Sequence, residues 1–468
     1  MAVRPSTYRP ETAILSLGGE FYDAVAPADF PRAIIRFRND RAAASVGLAG
    51  LGDDEWVRHF GRFEALADNL PEPLALRYHG HQFRVYNADI GDGRGFLFAQ
   101  LRDARGRLLD LGTKGSGRTP YSRFGDGRLT LKGAVRELLA TEMLEALGVE
   151  TSRTFSLIET GEALERGDEP SPTRSAVLVR LSHGHIRIGT FQRLAALGQG
   201  ENILKLARYC LANFFGEEGD EDVPARLLAR VTAGTARLAA SYIAAGFVHG
   251  VLNSDNINVT AESFDYGPWR WTPVWDGGFT AAYFDHAGLY AFARQPEAIH
   301  WDLVQLAMAL RAVAEAEVLT PVLERFPHLF REALRDAIFA RLGLAPCDLE
   351  HDMEFVAAIE AALARQTVTI DRFFFDWRGG SPRGTSDRYD DFGALRDLLG
   401  RYEPVPGALD HPYWSDAEPC AMHIDEVEAI WARIDEADDW SALHAKVAAV
   451  RRMGEALEKS RQEPKTGS

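Results

Sequence analysis

The chain changes texture near residue 190, and no other feature limits its possible folds as strongly. Before that point, short β-forming runs alternate with glycine turns: FLFAQL at 96–101, a turn around Ala104 to Gly106, then LLDLGTK at 108–114. Two such runs across a short Gly-containing turn predict a hairpin. A helix is predicted from about Thr130, because Val135, Leu138, Leu139, Met143, Leu144 and Leu147 recur at helical spacing and Gly148 stands where a helix stops. A second strand pair is expected at 154–158 and 176–181, with a polar, Pro-containing surface loop over 161–175. Beyond residue 190 the spacing becomes helical, at 202–215, 224–246 and 297–315, and more helices precede a polar tail at 459–468. The expectation is an α+β chain with a small β-rich lobe followed by a larger helical lobe.

Charge and cysteine usage narrow the function classes. Among 468 residues, 52 Lys and Arg stand against 68 Asp and Glu, a net charge of -16 that repels a phosphate backbone. Nucleic acid is not an expected partner. Cys210, Cys347 and Cys420 have no C-x-x-C spacing, so neither a disulfide framework nor a zinc site is expected, and a reducing, cytoplasmic compartment fits. The start, MAVRPSTYRPETAILSL, has no apolar core of signal-peptide length. The longest apolar run, 238–248, is broken by Ser241 and Gly246 and falls short of the roughly 18 residues a membrane span needs.

The chemistry concentrates in HGVLNSDN at 249–256 and FDYGPW from Phe264. Set over the protein-kinase pattern H-R-D-L-x-x-x-N with D-F-G, His249, Leu252 and Asn256 match, and Asp265-Tyr266-Gly267 stands in for D-F-G. The base position of that pattern is Val251, which accepts no proton, while a new carboxylate, Asp255, sits beside the metal-binding Asn. This predicts a kinase-like nucleotide site with altered chemistry.

Other residues take roles within that frame. Gly-Asp-Gly-Arg occurs twice, at 91–94 and 125–128. In the first copy, glycines allow backbone N–H groups to approach phosphate oxygens and Arg94 adds a fork of donors, although Gly-Asp-Gly is also an ordinary turn. The second copy places Asp126 and Gly127 at the nucleotide by the same logic, or is simply a loop before a helix. Lys114 ends the hairpin, where a kinase has its phosphate-contacting lysine, and Glu137 on the next helix suits an ion pair with it. No G-x-x-x-x-G-K-[ST] surrounds Lys114, which excludes a P-loop. Arg180 and Arg187 are seven residues apart, on opposite faces of any continuous strand. The intervening His183-Gly184-His185 invites a turn that brings both to one site, where two guanidinium groups suit a terminal phosphate; solvated strand-end arginines are the alternative. His79, His81, His183 and His185 lack spaced partners for a metal site and are read as turn and packing residues.

Seven ordered blocks, RYHGHQF at 77, GDGR at 91, KGSGRTPYSRFGDGR at 114, VRELLATEM at 135, VRLSHGHIRIGTF at 179, GFVHGVLNSDN at 246 and FDYGP at 264, resemble the selenoprotein O family. The resemblance implies a protein-kinase-like bilobal fold and transfer of AMP from ATP to Ser, Thr or Tyr hydroxyls of proteins. It implies ATP contacts for Gly91, Gly93, Arg94, Lys114, Asp126, Gly127, Arg180 and Arg187, magnesium or manganese at Asn256 and Asp265, and Asp255 as proton acceptor. Glu137 supports Lys114. The corresponding division of the chain is an N-terminal extension at 1–75, a nucleotide-binding lobe at 76–190 and a helical lobe at 191–468. The alternatives are an atypical kinase and a non-catalytic ATP-binding scaffold. Many family members carry a Cys or selenocysteine just before the C-terminus and a cysteine in the activation segment; here those regions read EPKTGS and WDGGFTAAYFDH, so redox control through that pair is not expected.

Overall fold

A computed structural model describes residues 7–167, 169–383, 389–390 and 392–458; the polar tail at 459–468 lies outside them. The strands of the main sheet are β1 (Pro10–Glu11), β2 (Tyr22–Ala24), β3 (Ile34–Arg38) and β4 (Leu74–Leu76), followed after a small separate hairpin, β5 (Gly80–Gln82) and β6 (Val85–Asn87), by β7 (Leu97–Arg102), β8 (Leu108–Lys114), β9 (Leu129–Thr130), β10 (Arg153–Leu164) and β11 (Thr173–Ser182). Their order is β2-β4-β7-β8-β11-β10-β3, with β1 beside β7 and β9 beside β11, and the pairings are antiparallel.

One face of the sheet is covered by α1 (Asp40–Ser45) and α2 (Asp53–Phe60), the other by α3 (Leu131–Leu147). Strand alternation decides which side chain goes where. On β11, Val177, Val179 and Leu181 join the aromatic cluster of Trp56, Phe60, Phe96, Phe98 and Phe155, whereas Leu178 joins the cluster around α3. Arg180 shares the α3 side. Helix α3 begins where Thr130 accepts a hydrogen bond from the Gly133 N–H and ends at Gly148 in the left-handed conformation (φ 85°).

The strand pair β10–β11 reaches further than expected. The predicted loop at 161–175 is strand up to Leu164 and again from Thr173. Gly161, at φ 76°, lies within a bulge between Glu159 and Ala163 that lets the ladder continue. Polar pairs then replace apolar packing at the tip: Arg174 bonds both carboxylate oxygens of Glu159 at 2.8 and 2.7 Å. Apolar periodicity cannot report such a ladder.

The helical lobe comprises α4 (Ile188–Ala196), α5 (Gly200–Phe215), α6 (Val223–Ala245) and α7 (Gln295–Leu310), then α8 (Ala316–Leu323), α9 (Phe326–Leu342), α10 (Leu349–Leu363), α11 (Ile370–Asp376), α12 (Gly393–Leu399), α13 (Ile424–Ala437) and α14 (Ser441–Glu458). The predicted helix at 297–315 therefore stops at Leu310, and α8 starts a new direction. Between α6 and α7, β12 (Phe247–Val248) pairs with β13 (Arg270–Trp271) and closes a loop that carries residues 249–269. This is a protein-kinase-like bilobal fold, with a β-rich lobe above a helical one. The last two helices return to the upper lobe: Arg451 on α14 bonds Glu142 of α3 at 2.8 and 2.7 Å, and Glu428 on α13 bonds Lys132 at 2.6 Å and Arg136 at 3.2 Å. Gly454 lies so close to α3 that an added Cβ would stand 3.2 Å from Ala146.

Candidate active site

Lys114 is placed by the alternation of β8. Leu109 and Leu111 point into the aromatic cluster, so Asp110, Gly112 and Lys114 face the opposite side. Lys114 is buried, hydrogen-bonds Glu137 of α3 and lies 2.7 Å from the Asp265 carboxylate. Glu137 itself is buried behind the lysine.

The two arginines converge because the chain folds back after β11. Gly184 takes the left-handed conformation (φ 85°), and the His185 ring packs where a side chain on Gly112 would be, its Nε2 only 2.2 Å from that absent Cβ. His185 Nδ1 also lies 3.2 Å from Asp110. Arg187, next along, then reaches 4.0 Å from Asp265, while Arg180 reaches it from β11 at 3.6 Å. Arg187 is held rigidly: its guanidinium lies 4.5 Å from the Tyr78 ring centre and 4.7 Å from that of Phe264, donates to the Asp255 carbonyl at 2.8 Å and pairs with Asp92 at 3.4 Å. The other histidines pack as expected: His183 against Phe214, His79 on Tyr86 and His81 on Trp301.

The loop at 249–269 supplies the carboxylates. His249, buried, places Nε2 2.9 Å from the Phe264 carbonyl and so ties the two motifs together. Asp265 adopts φ 62°, a left-handed conformation that is costly for a residue with a side chain. Burial pushes its carboxyl pKa up, but Lys114, Arg180 and Arg187 outweigh burial and hold it well below the usual range. Asp255 behaves oppositely. Burial raises it to about 6, with Arg187 opposing, and its Oδ1 is buried without a hydrogen-bond partner. Asn256 donates through Nδ2 to the Val251 carbonyl at 3.0 Å, which leaves the amide oxygen as the atom available to a cation.

These groups line one cavity of about 640 Å³. Gly91, Gly93, Arg94, Lys114, Asp126, Gly127, Arg180, Arg187, Asp255 and Asp265 all contribute to its wall; Glu137 and Asn256 stand outside it. Arg180 Nε and Nη1 and Arg187 Nε are buried without hydrogen-bond partners, an arrangement that leaves donors available to an anionic ligand. Oxygen donors from Asp265 and Asn256 suit a hard divalent cation.

Sequence reasoning missed Asp92, Tyr78, Tyr121, Phe264 and Arg166. Asp92 and Phe264 lay inside motifs already singled out, and Tyr78 inside RYHGHQF. Arg166, which bonds Asp126 at 2.9 and 3.2 Å from the β10–β11 connection, carries no motif at all.

The sequence pattern of the family described as "Protein adenylyltransferase SelO" matches residues 6–392. This chain belongs to the SelO family. Its relatives include a protein nucleotidyltransferase YdiU from Synechocystis sp., 41% identical with 94% of this chain and 96% of that protein covered, and one from Gloeobacter violaceus, 42% identical with 94% and 95% covered. A solved rhoptry antigen kinase domain from Toxoplasma gondii aligns over 63% of this chain and 84% of its own at 11% identity, with a TM-score of 0.29. Helices α13 and α14 lie beyond the region matched by the SelO pattern, yet they pack against the helix that carries Glu137. Among the described residues, no helix is long and apolar enough to cross a membrane.

Proposed function

We propose that this chain transfers AMP from ATP to Ser, Thr or Tyr hydroxyls of proteins and releases pyrophosphate. The observation that carries the reading is the convergence of Lys114, Arg180 and Arg187 on Asp265, with buried guanidinium N–H groups left unpartnered. Such a cluster suits the β- and γ-phosphates, and a triphosphate gripped by its far end presents its α-phosphorus to the acceptor. Arg94, exposed on the cavity wall, adds a further cation, and Asp126 and Gly127 line the same cavity.

Asp255 is the proton acceptor in this reading. With its pKa raised by burial to about 6, it is mostly ionised near neutral pH yet basic enough to take a hydroxyl proton. The acceptor oxygen forms a bond to the α-phosphorus, the bond from that phosphorus to the pyrophosphate oxygen breaks, and the hydroxyl proton passes to Asp255. Asn256 and Asp265 would hold magnesium, with manganese the alternative; when bound, the ion neutralises triphosphate charge. Glu137 keeps Lys114 in place.

Incubation with α-labelled or γ-labelled ATP tests the reading. Only the α label is expected on protein; transfer of the γ label would instead establish a kinase. Asp255→Ala is expected to keep ATP binding and lose transfer, whereas Asp265→Ala loses metal-dependent binding as well.

A further inference from the structure

An apolar, largely aromatic surface is carried by the hairpin that packs against Asp255, and none of its exposed side chains lines the nucleotide cavity. Of the ten large apolar side chains exposed among the described residues, four belong to it: Val85 (70% exposed), Tyr86 (38%), Tyr283 (84%) and Phe284 (42%). Such clustering marks interaction sites more often than isolated exposed hydrophobes do. Val85 and Tyr86 lie on the β5–β6 hairpin, and Phe284 meets the hairpin's Phe83 with ring centres 5.7 Å apart.

The hairpin is built at a cost. Its turn residues, Phe83 and Arg84, have φ of 49° and 64°, a conformation that two-residue turns normally give to Asn and Gly. Strained backbone persists only where surrounding contacts impose it. Those contacts run to the catalytic loop. Phe83 N–H donates to Asn253 Oδ1 at 2.9 Å, which also accepts from the Tyr290 hydroxyl at 2.7 Å. His81 N–H donates to Ser254 Oγ at 2.7 Å, Ser254 donates to Gln192 at 2.6 Å, and the Gln192 amide nitrogen stands 2.7 Å from His81 Nδ1. On the outside, Arg84 lies over Trp301 at 5.4 Å and pairs with Glu297 at 3.3 Å.

This surface also leads straight to the site of transfer. Gly80 packs so tightly on the loop that a Cβ would fall 2.9 Å from that of Asp255, and Gln82 lines the nucleotide cavity. An acceptor hydroxyl must reach Asp255, so the chain bearing it crosses whatever surrounds that carboxylate. We infer that the β5–β6 hairpin and Tyr283–Phe284 form the docking surface for the acceptor polypeptide, which presents a large apolar side chain close to its reactive hydroxyl. The inference rests on the adenylyl-transfer reading and adds to it the chemistry of the partner.

The experiment uses the full chain, magnesium with α-labelled ATP, and two synthetic peptides with a central Ser, one flanked by Leu and Phe and the other by Glu. Wild type is expected to label the apolar peptide with the higher kcat/KM. Tyr86→Ser with Tyr283→Ser should lower that value at least about 10-fold, the scale of one lost apolar contact, while the KM for ATP moves less than about twofold. Tyr86→Phe should retain most of the wild-type value, and Val85→Glu provides a second, single-site disruption at a solvent-facing position. Equal kcat/KM in wild type and both disrupted variants, or a preference for the Glu-flanked peptide, overturns the docking surface while leaving adenylyl transfer intact. Wild type that binds ATP but puts no α label on either peptide or on itself overturns the transfer reading and this inference with it.

Discussion

The same four residues, Gly-Asp-Gly-Arg, occur at 91–94 and 125–128, and the fold assigns them opposite duties. In the first copy the aspartate turns inward: Asp92 accepts from the Leu76 N–H at 3.0 Å and faces Arg187 at 3.4 Å, while Arg94 remains exposed on the cavity wall. In the second, Asp126 stays on the rim with Arg166, and the arginine is tied off, with Arg128 bonding Glu162 at 2.7 and 2.9 Å and lying 5.2 Å from the Phe30 ring centre. The two loops also interlock. A Cβ on Gly91 would stand 2.5 Å from the Tyr121 ring, Ser122 donates to the Gly93 carbonyl, and Thr119 donates to that of Asp92. Glycine is required in the first loop to admit the second. A short motif therefore specifies chemistry only through its surroundings.

The comparison breaks most readily at the aspartates. Asp92→Ala removes the partner of a buried guanidinium and is expected to cost about 3 kcal/mol of stability. Asp126→Ala, at a half-exposed pair, should cost less than about 1 kcal/mol. Urea unfolding of the two variants checks this, and equal losses would erase the distinction drawn between the loops. The arginines sharpen it in the other direction. Arg94→Ala should raise the KM for ATP by about 10-fold or more, the scale of a lost charge-assisted hydrogen bond, with the melting temperature unchanged. Arg128→Ala should lower the melting temperature and leave that KM within about threefold.

The smallest expected difference is in titration. Burial raises the pKa of Asp92 despite Arg187, so the proton-linked part of its stability is fully present below its ordinary value of 3.8 and is lost as pH rises through the shifted value, separately from the cost of leaving Arg187 unpaired in Asp92→Ala. For Asp126, burial is outweighed by Arg166 and the Arg128 N–H; its pKa is lowered, and its contribution is present above 3.8 and lost as pH falls. Carboxyl-carbon NMR should therefore find the two aspartates on opposite sides of that value.

Much of the upper lobe was legible in the chain. Leu97–Arg102 and Leu108–Lys114 form the predicted hairpin, and α3 runs between Thr130 and Gly148, because glycine turns, caps and helical spacing act over a few residues. The tip of β10–β11 was not legible, since polar pairs hold it, and neither were the four strands up to residue 76, which are two to five residues long. Within the site, motif order pointed to Lys114, Glu137, Asp255 and Asp265, but not to Asp92 or Tyr78 as the groups that fix Arg187.

By itself, the amino-acid order determined the two textures of the chain, the caps of α3 and the charged residues available for chemistry, all of which arise from neighbours within one or two turns. Only the tertiary structure decided that Arg187 lies between Tyr78 and Phe264, that one GDGR arginine is exposed on the cavity wall and the other bound to Glu162, and that α14 packs back against the helix bearing Glu137. Those outcomes depend on residues about 35 to 310 positions apart, and contacts at that range leave no periodicity in the sequence because they form only when separately folded elements meet.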